Sequence, residues 1–293
     1  MNLVKSFKDS YYILTKRSLL LFFASLILIF ASIYYSFIYY SHLLLNLIDN
    51  GLGQYPLIVE SLDNDLNITM FKVLLYSFLF VTWVFLNLTI SFILSSLIAG
   101  IYKSLKREDV SIESCSHYGK RHLFEMFFLV VFFQVIGIIV TYFAAAFLGI
   151  IQMIEPGTSN IPYFLIGFLN SFLTFFIYIP VVALLFITPS FMIIRNNSFI
   201  NSLTKSVFIL KDHVVRIPLL VIINFVCAFV VSVVVAAVSN YSSIILSSFL
   251  AYPLLSLIYV FFLFIFILYS FSGLILFIIS NWVSVTKEYL IKK

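Results

Sequence analysis

Charge is what this sequence has least of. Of 293 residues, 10% are Asp, Glu, Lys or Arg and 63% are apolar, whereas a soluble chain carries roughly 25% charged residues. Cysteine is nearly absent. Cys115 and Cys227 fall in a connection and in an apolar run, which excludes a disulfide framework and cysteine-based metal spacing. Glycine occurs nine times beside thirty-five phenylalanines, which argues against helices crossing closely through Gly-x-x-x-Gly pairs.

The sequence also lacks a Walker loop, dinucleotide-binding glycines, a nucleophile elbow and an HExxH pair. Gly51 and Gly53 read only as a turn signal. Asp63 and Asp65 in SLDNDLN lack the glycine and distal glutamate of a calcium loop. His42, His117, His122 and His213 lie at run ends or connections and form no ligand set. No catalytic constellation emerges, so no cofactor or metal is expected and an enzyme acting on lipid is the weakest reading. The net charge of +5 does not point to nucleic acid, because the bases lie at run ends, where anionic headgroups account for them.

What the chain does have is uninterrupted apolar length. No charged residue falls between Arg17 and Asp49, Lys72 and Lys103, Glu125 and Glu155, Glu155 and Arg195, or Arg216 and Lys287. About 20 apolar residues cross the roughly 30 Å of hydrocarbon in a bilayer. Each of the first four gaps holds one such helix and the last holds two. The expected spans are roughly 18–40, 70–100, 123–152, 162–192, 215–239 and 251–279. In lipid, backbone polar groups must be paired within the segment, so the fold class is all-α. The first run continues past Tyr40 without a small-residue cleavage site and reads as a retained anchor.

Charge sign sorts by side. Sixteen of the seventeen Lys and Arg lie in the N-terminal segment, the second-to-third connection, the fourth-to-fifth connection and the tail; Lys72 is the exception. The connections at 41–69, 153–161 and 240–250 hold Asp49, Glu60, Asp63, Asp65 and Glu155 and no base. Bases in short loops mark the cytoplasmic side, so a multi-pass protein of the cell membrane with both termini cytoplasmic is expected.

A short segment of mixed polarity precedes each odd-numbered span. In the first, Leu3, Phe7, Tyr11 and Leu14 share a helical face. In the second, Ile112, Cys115, Gly119 and Leu123 do, and in the third, Phe199, Leu203, Val207 and Leu210. The wording recurs as SFKDSYYILTKRSLLLF, SIESCSHYGKRHLFEMFF and SFINSLTKSVFILKDHVVRIPLL. A single membrane domain, 1–293, is expected. Within it the segments predict three units, about 1–104, 105–196 and 197–293, each a helix at the headgroup boundary followed by a two-span hairpin. The alternative is that each segment forms the first turns of a long membrane helix. Lys16, Arg17, Lys120, Arg121, Lys205, Lys211 and Arg216 are the candidate headgroup contacts.

Residues 178–220, YIPVVALLFITPSFMIIRNNSFINSLTKSVFILKDHVVRIPLL, place a proline-containing span, a polar turn, an amphipathic segment and a further span in sequence. That layout resembles a group of six-span prokaryotic integral membrane proteins that includes the membrane domain of some glycerophosphodiester phosphodiesterases. The resemblance implies a six-span fold. The soluble phosphodiesterase domain has no counterpart here, so its hydrolase activity does not carry over.

Polar residues within the spans are few. Asn87, Gln134, Asn170 and Asn224 are expected to cross-link helices, or else to line a substrate path. Glu125 is expected to pair with Arg121 one turn before it. Pro180 and Pro189, nine residues apart, are candidate hinges or simple shaping residues, as are Pro218 and Pro253. Asn67 and Asn240 begin sequons in expected outer segments. Tyr11, Tyr12, Tyr34, Tyr35, Tyr39 and Tyr40 cluster near the ends of the first span, and Trp282 falls just outside the last, as headgroup anchors do. These features support an accessory or scaffold protein with membrane lipids, and other membrane or cytoplasmic subunits, as partners. A permease subunit for an amphipathic or lipid-like substrate is the alternative.

Overall fold

The computed structural model describes residues 3–16, 18–51, 65–154, 163–248 and 253–292. Among these the chain is helical apart from short connections and contains no strand. In order the helices are α1 (Leu3–Lys16), α2 (Ser18–Gly51), α3 (Asp65–Leu105), α4 (Ile112–Arg121), α5 (Leu123–Ile154), α6 (Tyr163–Arg195), α7 (Phe199–Asp212), α8 (Arg216–Ser248) and α9 (Pro253–Lys292). Six of them, α2, α3, α5, α6, α8 and α9, are long and apolar enough to cross a membrane.

The short helices α1, α4 and α7 coincide with the three mixed-polarity segments and are separate from the long helices that follow. Ser111 starts α4 with a capping box: its hydroxyl accepts from Ser114 N at 3.2 Å, and its own N–H donates to Ser114 Oγ at 3.3 Å. Arg107, at φ 62°, and Asn196, at φ 54°, take left-handed conformations just past the ends of α3 and α6, where helices stop. Pro253 opens α9 and Pro218 lies in the first turn of α8, where a missing N–H costs least.

The long helices form two shells. α3, α6 and α9 pack on one another at the centre. α2 lies against α9 and α3, α5 against α3 and α6, and α8 against α6 and α9. The short helices follow the same order: α4 seats on α3, α7 on α6 and α1 on α9. Each outer helix and the short helix before it therefore rest on the same inner helix, and this happens three times around the bundle.

Burial is concentrated at the base-rich end. Leu20, Leu97, Ile101, Met126, Ile187, Met192 and Trp282 are fully buried there. Toward the other end, Phe78, Phe80, Tyr142, Phe229 and Phe262 are exposed, which has no hydrophobic cost when the surroundings are lipid tails. α1 and the end of α9 lie together, with Lys5 Nζ 3.8 Å from Glu288 Oε1.

One sequence expectation changes. The last span was expected to stop near 279 with Trp282 outside it. Instead α9 runs on to Lys292, and Trp282 is 1% exposed, stacked on Phe186 with centroids 5.9 Å apart. At 40 residues, α9 is about 60 Å long, roughly twice the hydrocarbon thickness, and its final turns pack against protein. α6 also continues as one helix through Pro180 and Pro189.

Candidate functional site

The three seats of the short helices are built from small residues. On α1 the buried positions are Ser6, Ser10 and Ile13. On α7 they are Ser202, Ser206 and Ile209. On α4 they are Cys115 and Gly119, followed by His122 just beyond the helix. One spacing, small-x3-small-x2-buried, serves all three. The apolar stripes expected from the sequence hold in part: Leu3, Phe7, Leu14, Phe199, Leu203 and Leu210 pack against the core and Cys115 and Gly119 are buried, while Tyr11 is 67% exposed, Ile112 59% and Val207 48%. Small residues at the centre of each contact let the two helix backbones approach.

The inner helices answer with a recurring pentapeptide. It reads FILSS at Phe92–Ser96, FITPS at Phe186–Ser190 and FIISN at Phe277–Asn281. Gly119 lies so close to Phe92 and Ser96 that a Cβ added to it would meet Phe92 Cε2 at 2.9 Å and overlap Ser96 Oγ. Phe7 stacks on Phe277 with centroids 5.9 Å apart. These close crossings use Ser, Cys and a single Gly rather than Gly-x-x-x-Gly pairs.

The seat of α1 on α9 carries most of the buried polar chemistry. Ser10 Oγ donates to Asn281 Oδ1 at 2.7 Å, and Ser6 Oγ donates to Asn281 O at 3.1 Å. Asn281 Nδ2 donates to Asn224 Oδ1 at 3.1 Å, which brings in α8. Ser284 Oγ donates to Asp9 Oδ2 at 2.8 Å. Asn281, Ser10, Asp9 and Ser284 were not singled out from the sequence. The signals for them were the pentapeptide and the Ser-x3-Ser spacing.

The polar residues that were singled out are used inside the protein. Gln134 Nε2 donates to Asn87 Oδ1 at 2.7 Å, joining α5 to α3, and Asn87 Nδ2 donates to Trp83 O at 2.8 Å. Asn224 is bonded to Asn281. The side chain of Asn170 and residue Arg17 lie outside the described residues. Glu125 does not pair with Arg121; its Oε2 is 3.2 Å from Nδ1 of the buried His122.

The bases divide into two sets. One set closes the ends of the inner helices. Lys287 Nζ donates to Leu105 O at 2.7 Å, and Arg195 Nη2 donates to Leu290 O at 3.4 Å. Unpaired carbonyls and the negative dipole end make a helix C-terminus a natural site for a cation. Lys103 lies over the Tyr118 ring and Lys106 over Tyr102, at 5.6 and 4.5 Å from the centroids. The Tyr102 hydroxyl is the main cause that holds the Lys106 pKa above its ordinary value. The other set points outward. Lys8, Lys16, Lys120, Arg121, Lys205, Lys211 and Arg216 are all exposed.

An apolar groove of about 550 Å³ lies at span depth between α8 and α9, with Leu14 of α1 at its edge. Val230, Val234, Phe266 and Leu274 form its walls, with Gly273 and Cys227 also on its lining. Comparison with known protein families, with characterised proteins and with solved structures finds no match.

Proposed function

We propose that the chain is a non-catalytic multi-pass protein of the cell membrane that serves as an accessory or scaffold component of a membrane complex and holds anionic lipid headgroups. On this reading its base-rich end and both termini are cytoplasmic. The unit boundaries 1–104, 105–196 and 197–293, and kinship with the six-span group resembling glycerophosphodiester phosphodiesterase membrane domains, belong to the same proposal. One observation carries it. Three short helices turn their small residues to the bundle and present Lys8, Lys16, Lys120, Arg121, Lys205 and Lys211 outward at one end. Anionic surfaces attract such bases by about 1 kcal/mol each.

Purification in mild detergent, followed by identification of retained proteins and lipids, tests this directly. Retention of acidic phospholipid and of a defined protein partner is expected. A monomer that keeps neither would sink the reading.

A permease subunit for a lipid-like substrate is the second reading, favoured by the groove beside α8 and α9. Flux that is lost when Asn87, Gln134 or Asn224 is replaced, in protein that still folds, would favour it over the first.

A further inference from the structure

We infer that α1 is a latch: it swings off α9 and back while the rest of the bundle stays folded, and a polar clasp centred on Asn281 holds it closed. The latch does not depend on the headgroup reading above.

Chain connection sets α1 apart. α4 follows α3 across residues 106–111, and α7 follows α6 across 196–198, so each is tied directly to the inner helix on which it sits. A short connection keeps a helix over its seat at high effective concentration. α1 sits on α9, from which the whole bundle separates it along the chain; it is joined to α2 at its Lys16 end and reaches α9 only through side chains.

Those side chains differ in the same sense. Gly119 brings no polar group to the seat of α4 and fits against Phe92 and Ser96. On α7, Ser206 Oγ donates back to Ser202 O of its own helix at 2.7 Å, and Ser202 Oγ has no partner among the described residues. On α1, Lys5, Asp9, Ser6 and Ser10 all reach α9, the first two at Glu288 and Ser284. The pentapeptide position that is Ser96 on α3 and Ser190 on α6 is Asn281 on α9. Its amide oxygen accepts from Ser6 at 3.3 Å and from Ser10 at 2.7 Å.

Such a clasp is reversible. Hydroxyls and amides released into the headgroup layer bond to water, so most of their hydrogen-bond energy is exchanged rather than lost. The released helix also has a place to lie. Val4, Tyr11 and Tyr12 are already exposed beside Lys8 and Lys16, a composition suited to the membrane interface. Opening uncovers Phe277, Asn281 and Ser284 and withdraws Leu14 from the edge of the groove between α8 and α9.

The test compares matched positions in the full chain in phosphatidylcholine vesicles. Ile13 on α1 and Ile209 on α7 hold the same place in the seat spacing and are both fully buried. Ile13→Cys and Ile209→Cys are labelled with N-ethylmaleimide, and peptide mass spectrometry reads each site. Protection of the native Cys115 in the same molecules shows that the bundle is folded. Phe7→Cys, at the stacked contact with Phe277, is a second reporter and should follow position 13.

Position 13 should label at least about tenfold faster than position 209. Its rate should barely change in sub-denaturing urea, because local opening exposes little surface. Asn281→Ala should speed position 13 about five- to a hundredfold and keep that flat dependence, while Ser206→Ala, the matched change on α7, should leave it as it was. Positions 13 and 209 labelling at one rate with one steep urea dependence would mean that α1 leaves its seat only on global unfolding, which overturns the latch. No response to Asn281→Ala, or an equal response to Ser206→Ala, overturns the clasp.

Discussion

Ser10 on α1 donates a 2.7 Å hydrogen bond to the amide oxygen of Asn281 on α9, 271 residues away. The same Asn281 side chain donates through Nδ2 to Oδ1 of Asn224 on α8. One amide thus holds three helices. Asn281→Ala leaves the hydroxyl of Ser10 and the oxygen of Asn224 without that partner, while Ser6 keeps the backbone carbonyl of residue 281. A loss of about 1–3 kcal/mol is expected, measured by denaturant unfolding in micelles. Ser10→Ala removes one donor only and should cost less.

Gly119 is fitted against Phe92 and Ser96 more tightly than any larger residue allows. Gly119→Leu should destabilise by at least ~1–3 kcal/mol through overpacking. Ser96→Gly removes the nearest obstruction and should restore part of the loss. If Gly119→Leu melts like the wild type, α4 is not seated on α3.

The acid of α5 belongs with His122. A double-mutant cycle on His122 and Glu125 should return a coupling of roughly 0.2–1 kcal/mol, the range for a partly exposed pair, while the cycle on Arg121 and Glu125 should return about zero. The reverse order would restore the pairing expected from the sequence.

Bases of the two sets should respond differently to removal. Lys287→Met deletes the donor to Leu105 O and should cost about 1 kcal/mol of stability with little change in lipid selectivity. Lys205→Gln with Lys211→Gln should leave the melting temperature unchanged and reduce binding to acidic vesicles. Flotation with vesicles of phosphatidylcholine and phosphatidylglycerol, alongside thermal melts, reads both.

Cys115 is fully buried, and that burial pushes its thiol pKa above the usual value. Less thiolate is present at a given pH, so alkylation is slowed by chemistry as well as by access. In the folded protein at pH 8, Cys115 should resist N-ethylmaleimide, while a cysteine placed at exposed position 113 reacts readily. Mass spectrometry of the intact chain distinguishes the two.

Much of the fold was legible because run length and charge sign follow from the bilayer alone. The charge-free interval from Arg216 to Lys287 required two crossings whatever the packing. The three short helices were legible from their mixed polarity. Which face of them turns inward was legible only in part. Phe7 and Leu14 do pack inward, beside Ser6, Ser10 and Ile13, whereas Tyr11 is exposed; the serines at the centre of the contact carry no hydropathy signal. Asn281 was missed for a related reason. Ser280, Asn281 and Ser284 lower the hydropathy enough to read as the end of a span, and the partners of Asn281 and Ser284 on α1 lie almost a whole chain away.

The contact between α1 and α9 also sets an order of events in the cell. Ser6 and Ser10 are synthesised long before residue 281, on the order of tens of seconds earlier at about 5–20 residues per second. During that interval α1 has no α9 to rest on, while α4 can meet α3 as soon as both have emerged. The Asn281 bonds are therefore a late event in biogenesis, and until they form α1 is free to be met by a chaperone, a protease or a lipid.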